Sequence, residues 1–158
     1  MDGDSLRDAL ARLPAGVVLL STRSGDGFRG LTATSFAAVS LEPPLVLVCL
    51  DRLAATRDAV VEHGAFTASL LARGQEFLAD RFSGQAPAAD PGWGEVPHRI
   101  GQNGLPIVAG AVGWIECQVF STQEAGDHDI VVGEITAVGT GSSEPLVHWE
   151  RGYWTLTK

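Results

Sequence analysis

Short apolar runs bounded by turn residues restrict the fold of this chain more than any other feature of its sequence. Runs such as "VVLLST" and "LVLVCL" are six residues long and rich in Val and Leu. Runs of this length between turn signals are typical of buried β-strands rather than helices. The segments with an apolar or extended pattern are 17–22, 28–41, 45–50, 65–71, 111–122, 129–141 and 145–156. The sequence therefore predicts a mainly β protein of about seven strands.

Three other segments have a helical pattern, with apolar residues on one side: 5–13, 54–64 and 74–84. Ser5 is the expected N-cap of the first helix, and Gly64 is expected to end the second. Residues 85–104 are rich in Pro and Gly and have no period, which predicts a loop.

The order of these segments favours one architecture. Strands joined by hairpins at both ends of the chain predict a closed antiparallel barrel with short helices at its edges. Alternation of strand and helix is not sustained, and no GxGxxG motif follows a strand, which argues against a doubly wound dinucleotide-binding sheet. Without an internal repeat or a linker-like stretch, we expect a single domain over residues 1–158.

Charge and cysteine content exclude several classes of function. The chain has 11 basic and 19 acidic residues, a net charge of −8, which disfavours binding to nucleic acid or to an anionic membrane. No apolar run approaches the about 18 residues that span a bilayer, and the polar, acidic N-terminus does not resemble a signal peptide. Cys49 and Cys117 have no CxxC spacing, so we expect buried free thiols, no metal site and a cytoplasmic protein.

The stretch "GLTATSF" (30–36) is unusually small and polar for a strand. Small side chains let a bulky ligand approach the backbone, and the hydroxyl groups of Thr32, Thr34 and Ser35 add hydrogen-bond donors. An edge strand with a solvated Thr and Ser face explains the same composition, and from this stretch alone it is the favoured explanation.

The stretch "CLDRLAAT" (49–56) joins a buried strand to a helix. Free backbone amides at a helix start attract phosphate, and Arg52 and the Thr56 hydroxyl would assist. Ordinary capping of a strand-to-helix loop is the alternative, because most such loops have a similar composition.

The stretch "GDHDIVVGEI" (126–135) places His128 between two aspartates, just before a strand. Neighbouring carboxylates favour the protonated form of a histidine, which could pair with a phosphate or position a cofactor. A solvated surface histidine in a turn is the commoner case. No G-x-S-x-G motif or catalytic triad is apparent in the chain.

Taken together and in this order, four segments resemble the flavin reductase family, which supplies reduced flavin to two-component monooxygenases. The segments are "LARLPAGVVLLST" (10–22), "GLTATSFAAVSLEPPLVLVCLDR" (30–52), "ASLLARGQEFLADRFSG" (68–84) and "GDHDIVVGEI" (126–135). The chain looks most similar to the short reductases of aromatic polyketide antibiotic pathways. The resemblance implies a split β-barrel with Greek-key connections and a homodimer.

The resemblance also implies a flavin site. The isoalloxazine ring of FMN, with FAD as the alternative, would lie along the strand at Thr32, Ala33, Thr34 and Ser35. The ribityl phosphate would bind the loop that contains Leu50, Asp51, Arg52, Ala55 and Thr56. Phe82 would border the flavin or the dimer partner, His128 would help to place NADH or NADPH, and Tyr153 would pack over the same face.

The reaction that the resemblance implies is hydride transfer from nicotinamide C4 to flavin N5, so no catalytic acid or base is expected. The reduced flavin would then diffuse to a separate monooxygenase. Two alternatives stay open at this stage. One is a flavin- or haem-binding module without turnover, and the other is a flavoenzyme with tightly held FMN that acts on an organic substrate.

Overall fold

The computed structural model of the chain describes residues 1–84 and 92–157. Within these ranges the helices are α1 (Gly3–Ala11), α2 (Ala55–His63) and α3 (Glu76–Arg81). The expected cap at Ser5 was wrong: Asp2 is the N-cap of α1, and its carboxylate accepts hydrogen bonds from Asp4 N and Ser5 Oγ. Gly64 ends α2 as predicted, with φ of 78° in the left-handed region that glycine adopts readily.

Strands dominate the rest of the described chain, so the prediction of a mainly β protein is confirmed. They are β1 (Ala15–Gly16), β2 (Val18–Ser24), β3 (Gly27–Ala33), β4 (Ala37–Leu41), β5 (Pro44–Asp51), β6 (Ala65–Leu70), β7 (His98–Ile100), β8 (Pro106–Val108), β9 (Gly113–Ala125), β10 (His128–Thr140), β11 (Leu146–Trp149) and β12 (Gly152–Thr155).

Seven of these strands form one antiparallel sheet in the order β3-β2-β6-β9-β10-β5-β4. A second sheet, β1-β11-β12, and a two-stranded ribbon, β7-β8, complete the set found in the described ranges. The hydrogen-bonded ladder ends at β3 and β4, which do not pair with each other among the described residues. Closure of the sheet into a barrel therefore stays a prediction.

The observed strands differ from the sequence prediction in several places. The long extended segment 28–41 is interrupted between β3 and β4, and the last segment 145–156 folds into two strands around a turn at Glu150 and Arg151. The predicted loop 85–104 contains β7, whose short polar sequence carries no strand pattern. Residues 85–91 of that loop lie outside the described residues.

Strand β2 separates two apolar clusters because its side chains alternate between the two faces of the sheet. Val18 and Leu20 belong to a cluster with β5, β6 and α2, whereas Leu19 packs with α3 and β11 on the other face. Both faces of this strand are therefore buried, which is why its sequence is a continuous apolar run rather than an alternating one. None of the helices in the described ranges is long and apolar enough to cross a membrane.

Candidate functional site

Two cavities lie beside the segments that the sequence singled out. The first, which we call the hydroxyl cavity, has a volume of about 500 Å³ and is lined by Val17, Thr32, Thr34, Asp80, Ser83, His148, Arg151 and Tyr153. The second, the loop cavity, has a volume of about 490 Å³ and is lined by Asp51, Arg52, Leu53, Arg57 and Asp127. The two share no lining residue.

The small, polar composition of β3 has a structural explanation in part. A Cβ atom at Gly30 would lie 2.6 Å from the Phe82 ring, so only glycine fits beneath that ring. The Thr32 hydroxyl donates to Ala79 O at 2.7 Å, and Thr32 N donates to Phe82 O at 3.0 Å. These contacts hold the end of α3 against the strand, whereas the exposed Thr34 points its side chain toward the hydroxyl cavity.

Ser35, which lies between β3 and β4, is hydrogen-bonded to the last part of β5. Its hydroxyl accepts a hydrogen bond from Cys49 N at 3.1 Å and donates one to Cys49 O at 3.0 Å. Cys49 directly precedes Leu50, so segment 34–36 lies beside the start of loop 50–56. A ligand on the strand could therefore reach the loop, although the two are separated in sequence.

A phenol and a carboxylate that line the hydroxyl cavity are hydrogen-bonded to each other. Tyr153 Oη donates to Asp80 Oδ1 at 2.8 Å, and the His148 ring meets the Tyr153 ring edge-on with 5.9 Å between centroids. Burial, and then the hydrogen bond to Asp80, raise the pKa of Tyr153 to about 12. The phenol therefore stays protonated at neutral pH and acts as a donor.

Most amides of loop 50–56 already have acceptors. Arg52 N donates to Asp127 O, Leu53 N donates to Asp51 Oδ1 at 2.9 Å, and Ala54 N donates to Asp51 O at 3.0 Å. The first amides of α2 have no acceptor within the helix, and no side chain caps this end. The amides of Ala55 and Thr56 are thus the donors that this loop offers to an anion.

Both arginines of the loop cavity already form ion pairs with carboxylates. Asp129, only 2% exposed, receives a hydrogen bond from Arg57 Nε at 2.5 Å and lies 3.7 Å from Arg52 Nε. Arg57 also bonds Asp58, and the hydrogen bonds that its guanidinium donates to Asp58 and Asp129 raise the pKa of Arg57. Arg52 in turn bonds Glu124 at 2.7 Å. An entering anion has to compete with these partners.

His128 begins β10 opposite Asp51, beside the loop cavity. Its Nδ1 lies 2.7 Å from Asp127 Oδ1, and this hydrogen bond lowers the pKa of the Asp127 carboxyl. The other flanking carboxylate, Asp129, points into the buried cluster with Arg57 instead. The two aspartates that flank His128 in sequence thus have different roles.

The predicted site residues fall into separate places. Thr32, Thr34 and Tyr153 meet in the hydroxyl cavity, while Asp51, Arg52, Ala55 and His128 lie at or beside the loop cavity. The side chains of Ala33, Leu50 and Phe82 are buried in the core, and the Thr56 hydroxyl donates to Gly30 O.

Sequence reasoning missed Asp80, His148 and Arg151 in the hydroxyl cavity and Arg57 in the loop cavity. No signal in the sequence pointed to Arg57, because the burial of Asp129, which requires a cationic partner, is a property of the folded chain. Among the described residues no cluster of His, Cys, Asp or Glu could hold a metal ion. Burial raises the pKa of Cys117 to about 12, so this thiol is not a nucleophile at neutral pH.

A family model, the flavin reductase like domain, matches residues 10–157. The chain belongs to the flavin reductase-like family. The resemblance seen in the sequence is thereby confirmed over nearly the whole chain.

Two relatives within the flavin reductase-like family illustrate its range. The reductase component of 4-hydroxyphenylacetate 3-monooxygenase from Thermus thermophilus is 35% identical, over 97% of this chain and 96% of that protein. The actinorhodin polyketide dimerase of Streptomyces coelicolor is 41% identical, over 98% of this chain and 87% of that protein. The family thus includes both a monooxygenase component and a protein of polyketide chemistry.

A solved structure has the same fold. The NADH:FAD oxidoreductase of Streptomyces globisporus, in complex with NAD and FAD fragments, superposes with a TM-score of 0.92 at 32% identity. The match covers 99% of this chain and 93% of that one.

Proposed function

We propose that this chain is an NAD(P)H-dependent flavin reductase that supplies reduced flavin to a separate flavin-dependent monooxygenase. The observation that carries the proposal is the Ser35–Cys49 link, which brings the hydroxyl-bearing strand next to the loop with free helix-start amides. The names of the relatives, among them NADH-dependent FMN reductases and the reductase component of a monooxygenase, support it.

The residues of the two cavities fit a flavin. Thr34 supplies an exposed hydroxyl beside the strand, and the amides of Ala55 and Thr56, with Arg52, supply donors for a phosphate. Flavin supplies the ring that accepts a hydride from the nicotinamide. The protein contributes binding and orientation, which is consistent with a site that lacks a triad. Competition from Asp51, Asp127 and Glu124 for the loop donors favours the moderate affinity that a diffusing product requires.

The choice of flavin and nicotinamide, the barrel and the dimer are proposed from the resemblance to the flavin reductase family. FMN is the expected flavin and FAD the alternative, with NADH or NADPH as the second substrate. The sheet would curl into a split barrel with Greek-key connections in a cytoplasmic homodimer. The exposed leucines in and just after α1, Leu6, Leu10 and Leu13, support association because the helix buries none of its own residues.

Purified protein is expected to consume NADH or NADPH under air when free FMN or FAD is added. The fall in absorbance at 340 nm measures the loss of the reduced nicotinamide. A flavin reductase treats flavin as a substrate with a measurable KM, whereas a flavoenzyme with tightly held FMN carries its flavin through purification. A binding module would take up flavin without consuming either nicotinamide. Absence of consumption with all four combinations would reject the reductase proposal.

We expect His128→Ala to raise the KM for the nicotinamide severalfold and to change the KM for flavin less. The reason is that His128 is proposed to face the nicotinamide, while flavin is held mainly by backbone groups. His63→Ala is the matched control, because His63 is an exposed histidine at the end of α2. An unchanged nicotinamide KM in steady-state kinetics would remove His128 from the site.

A further inference from the structure

We propose that Arg151 binds the phosphate groups of the nicotinamide dinucleotide in the hydroxyl cavity. This inference rests on the proposed function. Flavin phosphate and dinucleotide phosphates are both anions, so their tails repel and need separate binding sites when the two rings stack. The two cavities, which share no lining residue, provide that separation.

Arg151 is the one arginine or lysine among the residues that line the hydroxyl cavity. Its guanidinium presents a fork of donors that matches the geometry of phosphate oxygens. The loop cavity has arginines of its own and lies beside the start of α2, where the flavin phosphate is proposed to bind. With the flavin phosphate in the loop cavity, the dinucleotide is the anionic substrate that Arg151 would bind.

The backbone at Arg151 is held in an uncommon conformation. Glu150 and Arg151 form the two-residue turn between β11 and β12, with φ of 48° and 63°. Side-chain-bearing residues rarely adopt this left-handed region, and glycine or asparagine usually occupies such turns. The strain requires compensation from the surroundings.

The compensation comes from α1 and the residue that follows it. Glu150 N donates to Ala11 O at 2.9 Å, and Trp149 Nε1 donates to Arg12 O at 3.0 Å. The carboxylate of Glu150 forms an ion pair with the Arg12 guanidinium. The hairpin and the N-terminal helix thus fix the position of the Arg151 side chain at the mouth of the hydroxyl cavity.

Asp8 on α1 holds the Arg151 guanidinium at 2.5 Å in an exposed ion pair. Exposed pairs are weak, so a phosphate can replace the Asp8 carboxylate on Arg151. Asp8 then acts as an internal competitor, and its removal should strengthen the binding of the dinucleotide.

The test uses ADP-ribose, which carries the diphosphate without the nicotinamide, and measures its binding to the flavin-free protein by titration calorimetry at low salt. Arg151→Gly suits the left-handed turn, so we expect thermal stability to be kept while the Kd rises about tenfold. Arg151→Lys should give an intermediate Kd, and Asp8→Asn a lower one. Arg73→Ala is the matched control, because Arg73 is likewise an exposed arginine in an ion pair and does not line the hydroxyl cavity.

Steady-state kinetics separate this inference from the proposed function. We expect Arg151→Gly to raise the KM for NADH or NADPH and to leave the KM for flavin unchanged. A wild-type protein that reduces flavin but binds no ADP-ribose, or an Arg151→Gly variant with wild-type Kd and KM, would overturn the inference alone. A wild-type protein that consumes neither nicotinamide would overturn the proposed function together with it.

Discussion

Asp129→Asn is expected to lower the free energy of unfolding by about 3 kcal/mol, because it leaves the partly buried charge of Arg57 without its main counter-ion. The Asp129 side chain is 3% exposed and that of Arg57 is 25% exposed, so water can hydrate the unpaired guanidinium only in part. Arg57 keeps its second partner, Asp58, which places the effect at the lower end of the range for buried pairs. Urea unfolding at neutral pH measures the change.

The control for this prediction is built into the same cluster. Asp58→Asn removes the other partner of Arg57, but that carboxylate is 65% exposed, and we expect a loss of less than about 1 kcal/mol. Replacing both Arg57 and Asp129 by leucine should restore most of the stability lost in Asp129→Asn. If Asp129→Asn and Asp58→Asn lowered the free energy of unfolding equally, the buried Arg57–Asp129 pair would contribute no more to stability than the exposed Arg57–Asp58 pair.

Gly30→Val is expected to destabilise the protein by roughly 2 kcal/mol and to raise the KM for flavin. The new Cβ would lie 2.6 Å from Phe82 Cδ1 and 3.0 Å from Trp93 Cζ2, both in buried rings. Relief requires strand β3 and the end of α3 to separate, which breaks the bond from Thr32 N to Phe82 O and displaces the proposed flavin strand.

Gly27→Val is the matched control, because Gly27 lies on the same strand and a Cβ there meets no heavy atom within 4 Å. We expect its stability and flavin KM to stay close to those of the wild type. If thermal unfolding and flavin kinetics did not distinguish the two valine variants, the packing of Phe82 on β3 would not control the site.

The sequence was sufficient for the parts of the fold that depend on local pattern. The runs 17–22, 45–50 and 65–71 were predicted as strands because each is short and mainly apolar, and the structure has a strand at each of them. The helix predicted over 54–64 differs from α2 by one residue at each end. The hairpin at Glu150 was not predicted, because its turn contains none of the residues that usually adopt positive φ.

The candidate site was predictable only as separate stretches. "GLTATSF" and "CLDRLAAT" were recognised individually, but their contact depends on hydrogen bonds from two side chains, Ser35 to Cys49 O and Thr56 to Gly30 O, that form only in the folded chain. Arg57 and Asp129 meet although they lie far apart in sequence, and Arg151 reaches the hydroxyl cavity through a turn of unusual conformation. Tertiary packing, which local residue patterns do not encode, brings these groups together.

The double burial of β2 has a thermodynamic consequence. Each of the two apolar clusters uses alternate residues of this strand as one of its walls, so neither cluster can open without exposing the strand that completes the other. Local openings that stop at one cluster are therefore disfavoured. The chain should lose its structure in one cooperative step rather than as two independently melting halves.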